Sequence, residues 1–136
     1  SIGYLKVIQF QNDAISVDSI FTASVSVPDF EYGQDPVIVY SRTVHKQFYV
    51  DFEVEVKRQS DSVTVCRGGA AGIKYDKSKV LASGRTLSWY VDDACAKSLP
   101  TGGYFLETNY TIRVEGLPDK HLTTVSNIFN VTSRAH

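Results

Sequence analysis

The sequence predicts an all-β protein, built as an antiparallel sandwich of about seven to eight strands. Three observations predict it. Residues 104–115 alternate, with Tyr104, Leu106, Thr108, Tyr110, Ile112 and Val114 on one side and Phe105, Glu107, Asn109, Thr111, Arg113 and Glu115 on the other. Successive side chains of a strand point to opposite faces, so this pattern describes a long strand with one face in a core and one in water. Residues 48–58 repeat it, with Phe48, Val50, Phe52, Val54 and Val56 set against Tyr49, Asp51, Glu53, Glu55 and Lys57. Lastly, no window of about 11 residues combines helical apolar spacing with capping signals, while Gly, Pro and Asp clusters separate short apolar runs.

Taken in order, 4–10 is a short apolar segment and 11–13 a turn. Residues 15–27 are β-branched and interrupted by serines, and end before Pro28. The stretch 1–28 is read either as further strands of the core or as an arm offering a strand edge to another chain. The sandwich occupies 29–132, and 133–136 is a polar, flexible tail. Within it, 29–35 is an acidic loop, 36–44 a strand and 48–58 a strand linked by Gln59-Ser60-Asp61 to the next at 62–67. The run Gly68-Gly69-Ala70-Ala71-Gly72 reads as a mobile loop opening a flexible connection to about Ser83, with room for one helical turn at 76–82. Residues 86–91 read as a strand with Leu87, Trp89 and Val91 inward, the sole tryptophan being a core anchor. A polar loop at 92–98 leads to Pro100, Gly102 and Gly103, whose backbone freedom turns the chain sharply into the strand that starts at Tyr104. After a turn at 116–120, residues 122–131 form the last strand.

A chain of 136 residues is one domain long, enough for a core without staples. With 14 basic against 15 acidic residues it lacks the positive excess that nucleic-acid binding requires. No apolar run approaches the ~20 residues that cross a bilayer, so membrane insertion is not expected. The segment from Ser1 lacks the basic-then-apolar pattern of a signal peptide, and a removed one would leave no trace. Cys66 and Cys95 lie 29 positions apart and either bridge or remain two small thiols; the redox compartment decides, and the sequence does not reveal it. Without neighbouring histidines they do not build a four-ligand zinc site, and no cofactor is expected.

The strand that begins Leu99-Pro100-Thr101-Gly102-Gly103-Tyr104, with the closing Ser126-Asn127-Ile128-Phe129-Asn130-Val131, resembles the last two strands of immunoglobulin-like domains, in which a Gly-x-Tyr corner precedes a long strand. The resemblance covers roughly residues 36–131 and implies an immunoglobulin-like β-sandwich. The antibody-type cysteine pair is not reproduced, since a spacing of 29 is too short for the bridge between sheets. More narrowly, Val39-Tyr40-x-Arg42, the 48–56 alternation, Val65-Cys66, Trp89, Cys95, residues 99–112, Gly116-Leu117-Pro118-x-Lys120 and Ser126-Asn127-x-Phe129-x-Val131 resemble small uncharacterised proteins of tailed bacteriophages and prophages. What that resemblance implies is a virion or phage-accessory setting with no enzymatic residues.

Candidate sites were weighed against structural roles. The glycine run lacks the following helix and Lys-Ser/Thr pair of a phosphate loop. His45, His121 and His136 have no nucleophile elbow to serve, and no Gly-x-Ser-x-Gly occurs. Asp29, Glu31 and Asp35, and again Asp92 and Asp93, lack the spacing of a calcium loop. Outward aromatics are the remaining signal: Tyr40, Tyr49, Tyr90 and Phe105, with Tyr32 and Tyr75, present flat apolar groups to a protein surface or a sugar ring. Tyr49 and Phe105 are expected to share a face. The sequence therefore points to a non-enzymatic domain that binds a protein partner such as capsid or tail subunits, as an accessory or decoration protein of a virion. The alternative is a secreted or surface-displayed module that adheres to a host glycan.

Overall fold

The computed structural model describes residues 16–134. The apolar segment at 4–10, the turn at 11–13 and His136 lie outside the described residues. A single 3-10 turn, Val17–Ser19, leads into β1 (Phe21–Ser26), β2 (Phe30–Glu31), β3 (Val37–Val44), β4 (Phe48–Arg58), β5 (Thr64–Tyr75) and β6 (Ser78–Thr86). Two one-turn helices follow, α1 (Leu87–Tyr90) and α2 (Asp93–Ala96), and then β7 (Gly102–Arg113), β8 (Lys120–Val125) and β9 (Phe129–Thr132).

The strands form two sheets. One holds three strands in the order β1-β3-β6; the other runs β2-β9-β7-β4-β5, with β8 paired to the far half of β7. Every pairing is antiparallel except β2 with β9, which is parallel. The two sheets make an all-β sandwich, with β1, β3 and β6 in one layer and β2, β9, β7, β4, β5 and β8 in the other. The chain passes from β5 to β6 through 76–77, changing sheets as it does so, and both strands are sheet edges. The sandwich is therefore open along this side.

β7 is the central strand. Its alternate residues Tyr104, Leu106, Thr108, Tyr110 and Ile112 are buried, as the periodicity requires, and face the three-stranded sheet. At its start the Tyr104 hydroxyl donates to the Pro100 carbonyl at 2.6 Å, a tyrosine corner. The core falls into two clusters. Ile38, Val54, Val56, Leu87, Leu99, Leu106 and Phe129 fill one end; Phe21, Val44, Phe48, Val50 and Ile112 fill the other, where the Phe21 ring meets the Phe48 and Tyr110 rings edge-on at 5.2 and 5.1 Å.

Several sequence expectations are corrected here. Of the two readings of 1–28, the described part follows the core one: Val17–Ser19 is a 3-10 turn and Phe21–Ser26 is β1, whose Phe21 is fully buried. The acidic loop contains β2, which hydrogen-bonds to β9. The expected last strand is broken at Ser126 into β8 and β9, Ser126 taking the Leu106 N–H on its hydroxyl at 2.9 Å. The glycine run is not a loop but the middle of β5, and the suggested helical turn at 76–82 is β6. The glycines are there for space. A Cβ on Gly68 would lie 2.0 Å from the Tyr90 carbonyl oxygen, because the backbone that follows β6 is laid directly on β5 at this point. Residues 87–90 are helical rather than extended, and Trp89 is 54% exposed instead of anchoring the core. Tyr40 and Tyr75 are buried, not outward, since β3 turns Ile38, Tyr40 and Val44 to the core and Val37 and Val39 to water.

Cys66 and Cys95 form a disulfide with Cα atoms 5.9 Å apart, tying β5 to α2 rather than one sheet to the other. Together with the Asp92 N–H, which donates to the Arg67 carbonyl at 2.9 Å, it clamps the α1–α2 segment onto β5.

Two substitutions test these roles in urea denaturation. Tyr104→Phe lowers stability by about 1 kcal/mol through the lost corner bond. Gly68→Ala lowers it by roughly 1–3 kcal/mol, because backbone rather than a flexible side chain must move.

Candidate functional site

On the open side of the sandwich, where the two core clusters meet, lies a cleft of about 120 Å³. Its floor is built from inward residues of β4 and β7: Phe52, Val54, Thr108 and Tyr110. Tyr40 and Arg42 reach it from β3, Tyr75 from the end of β5, Val80 and Arg85 from β6, and Trp89 and Tyr90 from α1.

The wall carried by α1 is fixed from three directions. Gly68 lets the Tyr90 backbone sit on β5, and the disulfide holds the segment that follows. From the other end, Asp35 takes the Ser88 N–H at 3.0 Å and also the Ser88 hydroxyl, while the Leu87 N–H donates to the Pro36 carbonyl at 3.0 Å. Burial works to raise the Asp35 carboxyl; the bonds from Ser88, with a further one from Thr86, outweigh it and hold the group below the ordinary carboxylate range.

Two guanidiniums point into or over the cleft. Arg42 stacks on the Tyr75 ring with its central carbon 4.1 Å from the ring centroid, and Arg85 stacks on Trp89 at the same 4.1 Å. Neither has a carboxylate partner among the described residues, and no acidic side chain lines the cleft. Several charges on the outer face of the larger sheet, by contrast, are paired. There Arg113 donates to both oxygens of Asp51 at 2.6 and 2.9 Å, pulling that carboxyl down to about 2, and Lys57 meets Glu107 at 2.7 Å. The chain matches no family model and no curated protein. The reading of the cleft rests on its own chemistry.

Two polar atoms there are buried without a hydrogen-bond partner, the Tyr40 hydroxyl and Arg42 Nε. Arg42 and Tyr110 approach the Tyr40 hydroxyl closely enough for side-chain contacts that act against the effect of burial on these phenols, though none reaches Tyr40 Oη with the full distance and angle of a hydrogen bond. Burial pushes the Tyr40 and Tyr110 phenols well up, and Tyr90 up to about 12. All three hydroxyls therefore stay neutral through the ordinary pH range and supply no negative charge to balance the arginines.

The residues singled out from sequence separate into two groups. Tyr40 and Tyr90 come together in the cleft, their ring centroids 6.0 Å apart. Tyr49 and Phe105 do share the outer face of the larger sheet, but pair with Arg113 and Lys57 at opposite ends of β4, roughly 26 Å apart at strand rise, and form no common platform. Three of the candidate acids are engaged locally, besides Asp35: Asp29 accepts from the Asn130 N–H at 2.7 Å, Asp92 caps α2 through the Cys95 N–H at 3.0 Å, and Asp93 pairs with Lys97 at 2.9 Å. Among the described residues no three His, Cys, Asp or Glu side chains gather as metal ligands. His45 and His121 are exposed, and both cysteines are held in the disulfide.

Sequence reasoning missed Arg42, Arg85 and Thr108. Two of them carry a signal. Arg42 follows Ile38 and Tyr40 on the inward phase of β3, and Thr108 is the polar member of the inward set of β7. A cation and a hydroxyl at core positions mark a place where the core is interrupted.

The pH dependence of the Asp35 contact follows from its sign. A depressed carboxyl contributes stability that is present above its unfolded value and is lost as the pH falls through the folded one. The stability difference between the wild type and Asp35→Asn, measured in urea at a series of pH values, is full at neutrality and shrinks as the solution is acidified below about pH 4.

Proposed function

We propose that this chain is a non-enzymatic binding domain that acts by protein–protein contacts, with the side cleft and its rim as the contact surface. The observation that carries the reading is the company kept at the cleft: Trp89, Tyr90, Tyr40, Arg42 and Arg85 lie within one surface, and Trp, Tyr and Arg are the residues that dominate binding energy at protein interfaces. A large exposed indole held on a clamped helical turn loses little conformational freedom when covered, which favours its use as an anchor. The setting we propose, an accessory, decorating or tail-associated protein of a bacteriophage particle, is supported by the sequence resemblance alone.

The glycan-binding alternative has less support. Tyr49 and Phe105 stand too far apart to flank one sugar, and the Trp89 ring is stacked under Arg85.

The test is cosedimentation of the chain with particles from its native source. Trp89→Ala lowers the bound fraction by about tenfold or more, while Tyr49→Ala and Phe105→Ala leave it unchanged. Equal binding by Trp89→Ala overturns the assignment of the surface, and retention on a polysaccharide column that disappears in Trp89→Ala overturns the choice of partner.

A further inference from the structure

The cleft contains more donors than it can satisfy. Arg42 Nε and the Tyr40 hydroxyl are both buried and both unpartnered, and Tyr40 is 93% buried, being 7% exposed. Buried polar atoms without partners cost free energy, and each one in a native protein requires an explanation. The guanidinium Nε–H can only donate, whereas the Tyr40 hydroxyl can donate as well as accept, so one acceptor set between them would satisfy both. What is missing is therefore an acceptor-rich group.

Charge narrows it further. Arg42 and Arg85 bring two positive charges to one small cleft that no carboxylate lines. The Nε edge of a guanidinium, with its neighbouring Nη, is the edge that takes both oxygens of a carboxylate in parallel. In Arg42 that edge is the part left unpartnered, while the flat face of the group is occupied by the Tyr75 ring. Phe52, Val54 and Val80 add apolar surface to the lining, beside the hydroxyls of Thr108 and Tyr110. A carboxylate carried on a short aliphatic stem matches all three features.

We infer that the cleft is a receptor for a carboxylate side chain of a protein partner, gripped by Arg42 and Tyr40 and covered by Arg85 and Trp89. This rests on the protein-binding reading above and names what the partner inserts. The two orphan atoms are closed to bulk water when the cleft is empty, so the entering oxygens meet them through a rotamer turn of Arg42 toward the opening, and the Arg85–Trp89 stack shifts to admit the stem.

The sole tryptophan lies at this site, which makes its fluorescence a direct reporter. The probes are N-acetyl-glutamate methylamide and its isosteric amide, N-acetyl-glutamine methylamide, titrated into the intact chain, with inorganic phosphate as a competing oxyanion. The glutamate compound produces a saturable change in Trp89 emission, and the glutamine compound binds about tenfold more weakly or worse, because it loses the charge-assisted bonds. Arg42→Gln weakens the glutamate response by a similar factor, and Arg85→Gln, at an exposed position where folding is not at stake, weakens it as well. Equal responses to acid and amide, or no saturable response to either, overturn the inference, as does phosphate saturating at the same concentration as the glutamate compound. A glutamate response in a chain whose cosedimentation ignores Trp89 overturns the protein source and leaves the protein-binding reading, not the carboxylate chemistry, as the part that failed.

Discussion

The backbone of Tyr90 occupies the volume in which a side chain at position 68 would stand. That single close approach decides how the second half of the molecule is put together. It requires glycine in the middle of β5, it brings the segment after β6 against the larger sheet rather than letting it continue as a strand, and it turns Trp89 away from the core. The disulfide and the Asp35 contact reinforce the same placement from either side, one by closing the loop between β5 and α2, the other by satisfying N–H groups at the start of α1. A four-residue helix has almost no stability of its own, so its position is a consequence of these tertiary contacts and not of helix propensity.

The cleft follows from the same arrangement. β5 and β6 are the edges of the two sheets on one side; the chain crosses directly between them, and α1 covers part of the gap. Side chains along this open edge face one another across a small space. Stacking on Tyr75 and Trp89 keeps the two guanidiniums extended over apolar surface, where each stack contributes about 0.5–1 kcal/mol or somewhat more where water is excluded. It does not neutralise them. Charge of one sign in a partly enclosed site with aromatic walls is a poor device for stability and a serviceable one for recognition.

Much of the architecture was legible in the sequence because β4 and β7 bury one face and wet the other, so period-two alternation survives in the residues. The same logic fails wherever neither face is simply wet. Residues 68–72 look like a loop because glycine usually means freedom, whereas Gly68 and Gly69 are confined by the backbones of Tyr90 and Phe52. Leu87, Trp89 and Val91 have the spacing of a strand, and only the distant Asp35 and Gly68 make the segment helical. Tyr40 reads as outward from sequence because an aromatic at the rim of a core resembles one at a surface, whereas β3 turns it inward. As for the site, Tyr40 and Tyr90 could be named as aromatics of interest, but their meeting with Arg42 and Arg85 depends on the open edge, which no local pattern announces. The disulfide is a further case: the spacing of Cys66 and Cys95 was compatible with a bridge and with two thiols, and only the fold brings their Cα atoms within bridging distance.

The account as a whole turns on an exposed Trp89 standing in an uncompensated positive field. Collisional quenching of its emission by iodide and by caesium, at matched low ionic strength, measures both properties at once. The structure predicts efficient quenching by iodide, weak quenching by caesium, and convergence of the two as salt screens the arginines. A tryptophan shielded from both ions, or one that caesium quenches as readily as iodide does, would contradict it.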